Sequence, residues 1–360
     1  MQKIPFDAKE RNDPLRIFAA LPSLLMFAHK PTLVGISWGD PHGIGSECIL
    51  KAFDDARLFE TLLPVVYGHG ETLRRQAAQF NVSIEIRDVD DASDAEPGAL
   101  NCVNIIQHII QPEWGQLDSQ AGEFARLSLE AAVNDITASK LDVLVTAPIN
   151  KDAIQSKQFK FPGHTEYLAD KTEVRDVLMI LASGTLRVGV VTGHIALRDV
   201  ASSLSIDRIV RRAQLLHMSL KGDFGLAAPR IAVFGLNPHA GDNGLIGEEE
   251  ETIILPAIRS LSEAGINVKG PFGADGLFGS GEYKSYDGIL AMYHDQGLIP
   301  FKSLSFGLGV NFTAGLPIVR TSPDHGTAFD IAGKGMADGR SLRTACLMGA
   351  NIRKHRAAAS

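Results

Sequence analysis

The sequence predicts an α/β fold built on a largely parallel sheet, and three observations carry that expectation. Short runs rich in Val, Ile and Leu, bounded by Gly and Pro, recur along the chain and read as strands buried on both faces. Helix-like segments alternate with them in βαβα order. Three of the apolar runs, beginning at Arg187, Arg230 and Gly288, end in His194, His239 and His294.

In chain order, the first strand is expected at Thr32–Ser37, followed by a Gly-rich turn and a helix over 46–56. A strand over 63–67 and a helix over 71–80 come next. The stretch 88–97 is acidic and turn-rich and reads as a surface loop. A long amphipathic helix over 122–138 leads into a strand at Val143–Thr146. Thr165 is expected to N-cap a helix that runs to Lys171. No internal repeat, low-complexity tract or Pro/Ser-rich linker separates the segments, so domains are expected to share elements through chain crossovers.

The chain has 360 residues, 45% hydrophobic and 21% charged. That length suggests about two domains and a core that needs no disulfide. A net charge of -7 with no basic stripe argues against nucleic acid as the main partner. Cys48, Cys102 and Cys346 are isolated and fall in no CxxC spacing, which fits a reduced cytoplasmic compartment and a core-packing role. The apolar stretch 17–28 is too short to span a bilayer, and Pro22 interrupts it as a signal segment. No membrane association is expected, and residues 1–30 are expected to be a disordered or non-native extension, the working protein starting near Met26.

The three histidines define the chemistry. In open α/β sheets function collects just past the carboxyl ends of the strands. Three imidazoles delivered there would hold a divalent metal and leave coordination positions open for substrate. Each histidine alone reads more readily as a strand cap bonded to a nearby carbonyl; the repeated context favours the metal. Asp275, and Asp295 next to His294, are candidates to orient imidazoles or relay protons, or are turn residues. Lys151 follows a strand and is a candidate proton-transfer group. Lys302, Asn311 and Arg320 together suit a phosphate or carboxylate, with Arg320 expected at the functional edge of the sheet. His164 and Thr165 offer side-chain donors beside a helix start.

Two Gly-punctuated segments complete the pattern. Gly39-Asp40-Pro41-His42-Gly43-Ile44-Gly45 joins the first strand to the first helix, but it is not a GxGxxG fingerprint. The segment 324–335 is polar, contains His325, Gly326, Thr327 and Asp330, and lies between apolar runs. Its backbone donors could wrap an adenosine or phosphate, or it is an ordered surface loop.

These two segments resemble the cofactor loops of the isocitrate and isopropylmalate dehydrogenase superfamily. Within it, Gly163-His164-Thr165-Glu166, Thr192-Gly193-His194, Leu236-Asn237-Pro238-His239-Ala240-Gly241 and Ala291-Met292-Tyr293-His294-Asp295-Gln296-Gly297 resemble the 4-hydroxythreonine-4-phosphate dehydrogenase family. The likeness runs from about Pro31 to the last helix, several motifs in the same order. It implies two α/β/α domains with a cleft between them: 31–150 plus about 320–360, and about 151–319, the second carrying the metal ligands and the dimer interface.

The resemblance further implies that His194, His239 and His294 bind one divalent metal (Zn, Mg or Co) shared between the subunits of a homodimer. His164, Thr165, Lys302, Asn311 and Arg320 match substrate-binding positions. NAD, with NADP the alternative, would be held around His325, Gly326, Thr327 and Asp330. One departure is His42, where many members of the family have a small residue.

The reaction implied is oxidation of 4-phosphooxy-L-threonine, then loss of carbon dioxide to give 3-amino-2-oxopropyl phosphate on the route to pyridoxal phosphate. Asp275, Lys151 or a water at the metal could be the base. Two other readings stay open: a sister dehydrogenase of 4-phospho-D-threonate or 4-phospho-D-erythronate, and a three-histidine metallohydrolase that needs no nucleotide.

Overall fold

A computed structural model describes residues 30–359. The expected extension at 1–30 therefore lies, but for its last residue, outside the described residues. The first half of the chain forms β1 (Thr32–Ser37), α1 (Gly45–Ala52), β2 (Leu62–Gly68), α2 (Gly70–Gln79), β3 (Ile86–Val89), β4 (Leu100–Asn104), α3 (Ser119–Thr137), β5 (Val143–Thr146) and α4 (His164–Lys171). The second forms β6 (Leu178–Ser183), β7 (Leu186–Val190), α5 (Val200–Ser203), α6 (Ile206–Gly222), β8 (Ile231–Phe234), α7 (Leu255–Glu263), β9 (Val268–Phe272), α8 (Ala274–Gly279) and β10 (Gly288–Ala291). It closes with α9 (His294–Ser305), β11 (Val310–Ala314), β12 (Arg320–Pro323) and α10 (Arg340–Ala359).

The strands form a single 12-stranded sheet in the order β3-β4-β2-β1-β5-β12-β11-β6-β7-β10-β8-β9. Strands from 32–146, joined by β12, fill one half of that order; strands from 178–314 fill the other. Every residue of β2 is buried, as expected for a parallel strand covered on both faces. The sheet is mixed in the middle: β11 runs antiparallel to both β12 and β6, and β6 antiparallel to β7. The cause in β6–β7 is local. Only two residues, Gly184 and Thr185, separate these strands, and so short a turn can join only antiparallel neighbours.

Helix α3 shows why its segment folds as it does. Its buried residues include Ala121, Ala125, Leu129, Ala132, Val133 and Ile136, a stripe at helical spacing that faces the sheet. Asp118 caps it by accepting from Ala121 N at 3.1 Å. Within the stripe, Ser128 Oγ accepts from Trp38 N at 2.7 Å and donates to Tyr67 O at 2.6 Å, tying α3 to β1 and β2. Ser128→Ala would leave both buried backbone groups unpaired, at a cost of about 1–3 kcal/mol.

Some boundaries differ from expectation. The helix expected over 46–56 ends at Ala52, and a 3-10 turn follows at Ala56–Glu60. The acidic stretch expected as a loop begins within β3, which pairs with β4. Thr165 does not cap α4: the helix starts at His164 after Gly163, and Thr165 lies in its first turn. All three cysteines are buried and free, and burial pushes each thiol up to about 12.

Candidate active site

A cavity of about 270 Å³ lies where the two halves of the sheet meet. Its lining comes from β5, β6, β11, β12 and the starts of α4 and α9, and includes Thr146, Leu181, Asn311, Arg320 and Ser322. Asn311 is in register with Leu181 on one side and Ser322 on the other, so these three point to the same face. The sheet thus builds the floor, and loops past the strand ends build the walls.

Arg320 is the electrostatic centre of that floor. It is only 2% exposed, the first residue of β12 rather than a group at the rim. Its hydrogen bonds go to hydroxyls alone: Nε and Nη2 donate to Thr146 Oγ1 at 3.2 and 2.5 Å, and Nη1 to Thr313 Oγ1 at 3.0 Å. Burial lowers its pKa to about 10, with Glu166 the nearby charge that opposes the shift. Beside it, His164 Nε2 and Asn311 Oδ1 are buried without a hydrogen-bond partner. Buried polar groups are normally satisfied, so such atoms at a cavity await a ligand. Burial, then Arg320 and Lys151, holds the His164 imidazole well below its ordinary range, leaving it neutral.

Thr165, Lys151 and Lys302 also line the cavity. Lys302 Nζ lies 3.4 Å from Asp324 Oδ1, a carboxyl pushed up by burial and pulled back by Lys302. The expected substrate set of His164, Thr165, Lys302, Asn311 and Arg320 is therefore brought together around one space. Glu166, Thr146 and Ser322 join it without having been singled out from sequence. Glu166 sits beside Thr165 in the motif, so adjacency was the available signal; nothing local marks Thr146 or Ser322.

Two of the three histidines meet here. The rings of His194 and His294 lie 5.7 Å apart, centroid to centroid, and both line the cavity. Burial, then Lys151 and His294, lowers the His194 pKa, which favours the neutral imidazole a metal requires. His294 Nδ1 is 2.7 Å from Asp295 Oδ1, so the expected orienting carboxylate is in contact with its imidazole.

His239 is not brought to them. Although β8 pairs with β10, no group of three His, Cys, Asp or Glu that could hold a metal forms among the described residues of the one chain. From His239 to Gly244 every φ is positive (54, 51, 83, 43, 56 and 86°), a left-handed turn past β8 none of whose residues lines the cavity. Such geometry costs a non-glycine residue about 1–2 kcal/mol, less for Asp, Asn and His, so Ala240 carries the largest share of the strain. A side chain on Gly273 would meet Asp275 Oδ1 at 3.2 Å and His239 Cα at 3.8 Å, so Asp275 stands beside this turn and not in the cavity.

The Gly-punctuated segments meet at the other side. Ile44 N donates to Thr327 O at 3.0 Å, and His325 and Gly326 line the cavity. His42 O accepts from Gly115 N at 2.9 Å, which places it in the same loop cluster. His325 Nε2 lies 3.8 Å from Cys48 Sγ and Nδ1 lies 3.1 Å from Gly326 O; burial lowers its pKa. Asp330 is at the surface, its carbonyl accepting from Lys334 Nζ at 2.6 Å. Glu47 and Lys51 clamp the segment from below. Glu47 Oε1 accepts from Lys51 Nζ and Ala337 N, both at 2.8 Å, and Lys51 Nζ also donates to Gly335 O and Ala337 O.

Comparison with known proteins first defines the class. The chain superimposes on a 4-hydroxythreonine-4-phosphate dehydrogenase from Klebsiella pneumoniae with a TM-score of 0.78 at 37% identity, covering 89% of this chain and 99% of that one. The fold is that of an α/β dehydrogenase, and the protein is an oxidoreductase. The family profile described as pyridoxal phosphate biosynthetic protein PdxA matches residues 60–349, and the chain belongs to that family. A 4-hydroxythreonine-4-phosphate dehydrogenase of Bacteroides thetaiotaomicron is 46% identical over 324 residues, 90% of this chain and 89% of the relative. A D-threonate 4-phosphate dehydrogenase of Cupriavidus necator is 41% identical over 331 residues, 90% and 98% of the two chains. The family uses an NAD-type cofactor and a metal, and its substrates are small phosphorylated molecules. Among the described residues no helix is long and apolar enough to cross a membrane.

Proposed function

We propose that this protein oxidises 4-phosphooxy-L-threonine to 2-amino-3-oxo-4-phosphooxybutanoate, which loses carbon dioxide to give 3-amino-2-oxopropyl phosphate. The observation that carries the reading is the buried Arg320, bonded only to threonine hydroxyls and flanked by unpartnered His164 Nε2 and Asn311 Oδ1. A cation so placed asks for an anionic ligand. Arg320 and Lys302 hold the substrate phosphate, and Asn311, His164 and Thr165 orient the rest of the molecule.

The imidazoles of His194 and His294 suit a divalent ion, zinc or cobalt more readily than magnesium. The partner subunit's His239 completes the set in a homodimer. Support for that assembly comes from His239 itself, exposed in a left-handed turn and absent from the lining of its own cleft, with Leu245 beyond it 80% exposed. A groove lined by His194, Ile195, Leu197, Tyr293 and His294 lies ready to receive such a turn. The ion supplies Lewis-acid polarisation of the substrate hydroxyl. An NAD-type cofactor along 325–330 and the first Gly-rich turn supplies the hydride acceptor. Lys151, at the cavity wall, is placed to take up or relay the hydroxyl proton. Asp275 travels with His239, so a partner that brings one imidazole brings that carboxylate too.

The sheet order supports reading 31–150 with about 320–360 as one domain and about 151–319 as the second. Three buried thiols suit a reducing cytoplasm. Membership of a dehydrogenase family sets the metallohydrolase reading aside. The sister reaction on a phosphorylated hydroxy acid without an amine is the second reading, favoured by the relative from Cupriavidus necator. Cofactor reduction measured with 4-phosphooxy-L-threonine, 4-phospho-D-threonate and 4-phospho-D-erythronate tests both. Preference for either hydroxy acid by kcat/KM would replace the first reading with the second.

A further inference from the structure

The turn that carries His239 is built around one carboxylate. Glu250 is 2% exposed and opens a π-helical turn at Glu250–Ile254, just before α7. Single π turns are rare and recur at functional sites. Glu250 Oε1 accepts from Leu236 N at 2.7 Å and Asn237 N at 2.8 Å, and Oε2 accepts from Asn237 Nδ2 at 2.8 Å. The backbone approaches it so closely that a Cβ on Gly235 would stand 2.9 Å from Oε1, and one on Gly241 2.6 Å from Oε2. The carboxylate therefore holds the entry to the turn by hydrogen bonds and packs against its middle at Gly241. The grip is aimed at a costly object, since His239 and Ala240 sit at φ of 54° and 51°.

We infer that Glu250 is a positioning residue: it holds the turn 239–244 in left-handed form so that His239 is presented outward, in a fixed orientation, to the cleft of a second copy. This rests on the proposed role of His239 as a metal ligand across the dimer. The chemistry of the clamp is specific to a carboxylate. Three N–H groups converge on two oxygens, so an amide in its place would turn its own N–H groups toward a donor in either orientation. Groups bonded directly to a ligating imidazole typically change metal affinity about 10- to 100-fold when altered; Glu250 acts through the backbone at 236 and 237, so the lower end of that range applies.

The test uses the metal-stripped full-length protein, titrated with zinc ion by calorimetry alongside circular dichroism and a metal-free melting curve. Glu250→Gln is expected to bind zinc about 10-fold more weakly than wild type. Glu251→Gln, one residue on and exposed, is expected to match wild type. Wild-type zinc affinity in a folded Glu250→Gln overturns the inference. Should that variant not fold, Asn237→Ala, at a half-buried position, removes one of the three contacts and is expected to weaken zinc binding several-fold; unchanged affinity there overturns it equally. His239→Ala separates the two levels. If His239→Ala itself keeps full zinc affinity, the shared-metal reading fails; if it loses affinity while Glu250→Gln does not, only the clamp fails.

Discussion

Arg320 and Thr146 are locked to each other: two guanidinium nitrogens converge on one threonine hydroxyl, Nε at 3.2 Å and Nη2 at 2.5 Å. The strands that carry them, β12 and β5, are parallel neighbours, so the sheet itself sets the height of the charge beneath the cavity. A guanidinium placed this way is pre-oriented for an anion, with Glu166 nearby but no carboxylate hydrogen-bonded to it.

Loss of that charge should be read in binding. Arg320→Ala is expected to cost about 1.5–3 kcal/mol of substrate affinity, roughly 10- to 150-fold. Arg320→Lys should recover only part of it, because the fork is gone. The informative comparison is phosphorylated substrate against its dephosphorylated analogue. Equal discrimination by wild type and Arg320→Ala would remove Arg320 from the phosphate subsite.

The proposed shared metal site predicts complementation. His294→Ala and His239→Ala should each lose metal and activity as pure dimers while keeping their fold. After subunit exchange, one of the two sites in each mixed dimer regains a full ligand set. Random mixing should therefore restore about a quarter of wild-type activity. No recovery from a mixture shown to contain hybrid dimers would place all ligands of one site on a single chain.

Stability should fall on the acid side through His164. Its folded-state pKa lies well below the ordinary 6.5 because of burial and the nearby Arg320 and Lys151. The unfolded chain thus binds the proton first, and stability is complete above about 6.5 and declines as pH drops from there toward the folded-state value. His325, also lowered by burial, adds in the same direction. Denaturant titrations from about pH 7.5 to 5 should show a shallower decline for His164→Gln than for wild type. Parallel curves would mean that His164 does not carry the effect.

The clamp under the proposed cofactor segment should matter for both stability and cofactor binding. Lys51→Met leaves Glu47, which is fully buried, with an uncompensated charge and frees two carbonyls at 335 and 337. A loss of about 3 kcal/mol in stability is expected, together with a raised KM for NAD and little change in KM for substrate. If KM for NAD stays at the wild-type value, residues 325–337 do not form the cofactor site.

Local chemistry made much of this readable in advance. Strands β1 and β5, helix α3 and the histidines past β7, β8 and β10 all follow from apolar runs, helical spacing and strand-end position. What escaped depends on partners far along the chain. The antiparallel placement of β11 beside β6 joins residues near 310 to residues near 180, and no local pattern encodes that pairing. Glu250 was hidden for the opposite reason. It sits within Glu248-Glu249-Glu250-Glu251, which reads as a solvated acidic run until the fold buries that one member. The start of the left-handed turn was equally silent, since Ala240 is a poor marker of positive φ, although Gly241-Asp242-Asn243-Gly244 beyond it is a run that favours such geometry.

The three buried thiols have a practical consequence for spectroscopy. With Cys48, Cys102 and Cys346 all enclosed and each pushed up to about 12, the native protein offers maleimide reagents no reactive thiolate. A single engineered cysteine at Leu245, on the exposed tip beyond His239, would then be the one point of attachment for a fluorophore or spin label. Such a label would report directly, through quenching or a measured spin–spin distance, whether that tip docks against a neighbouring subunit and how rigidly it is held.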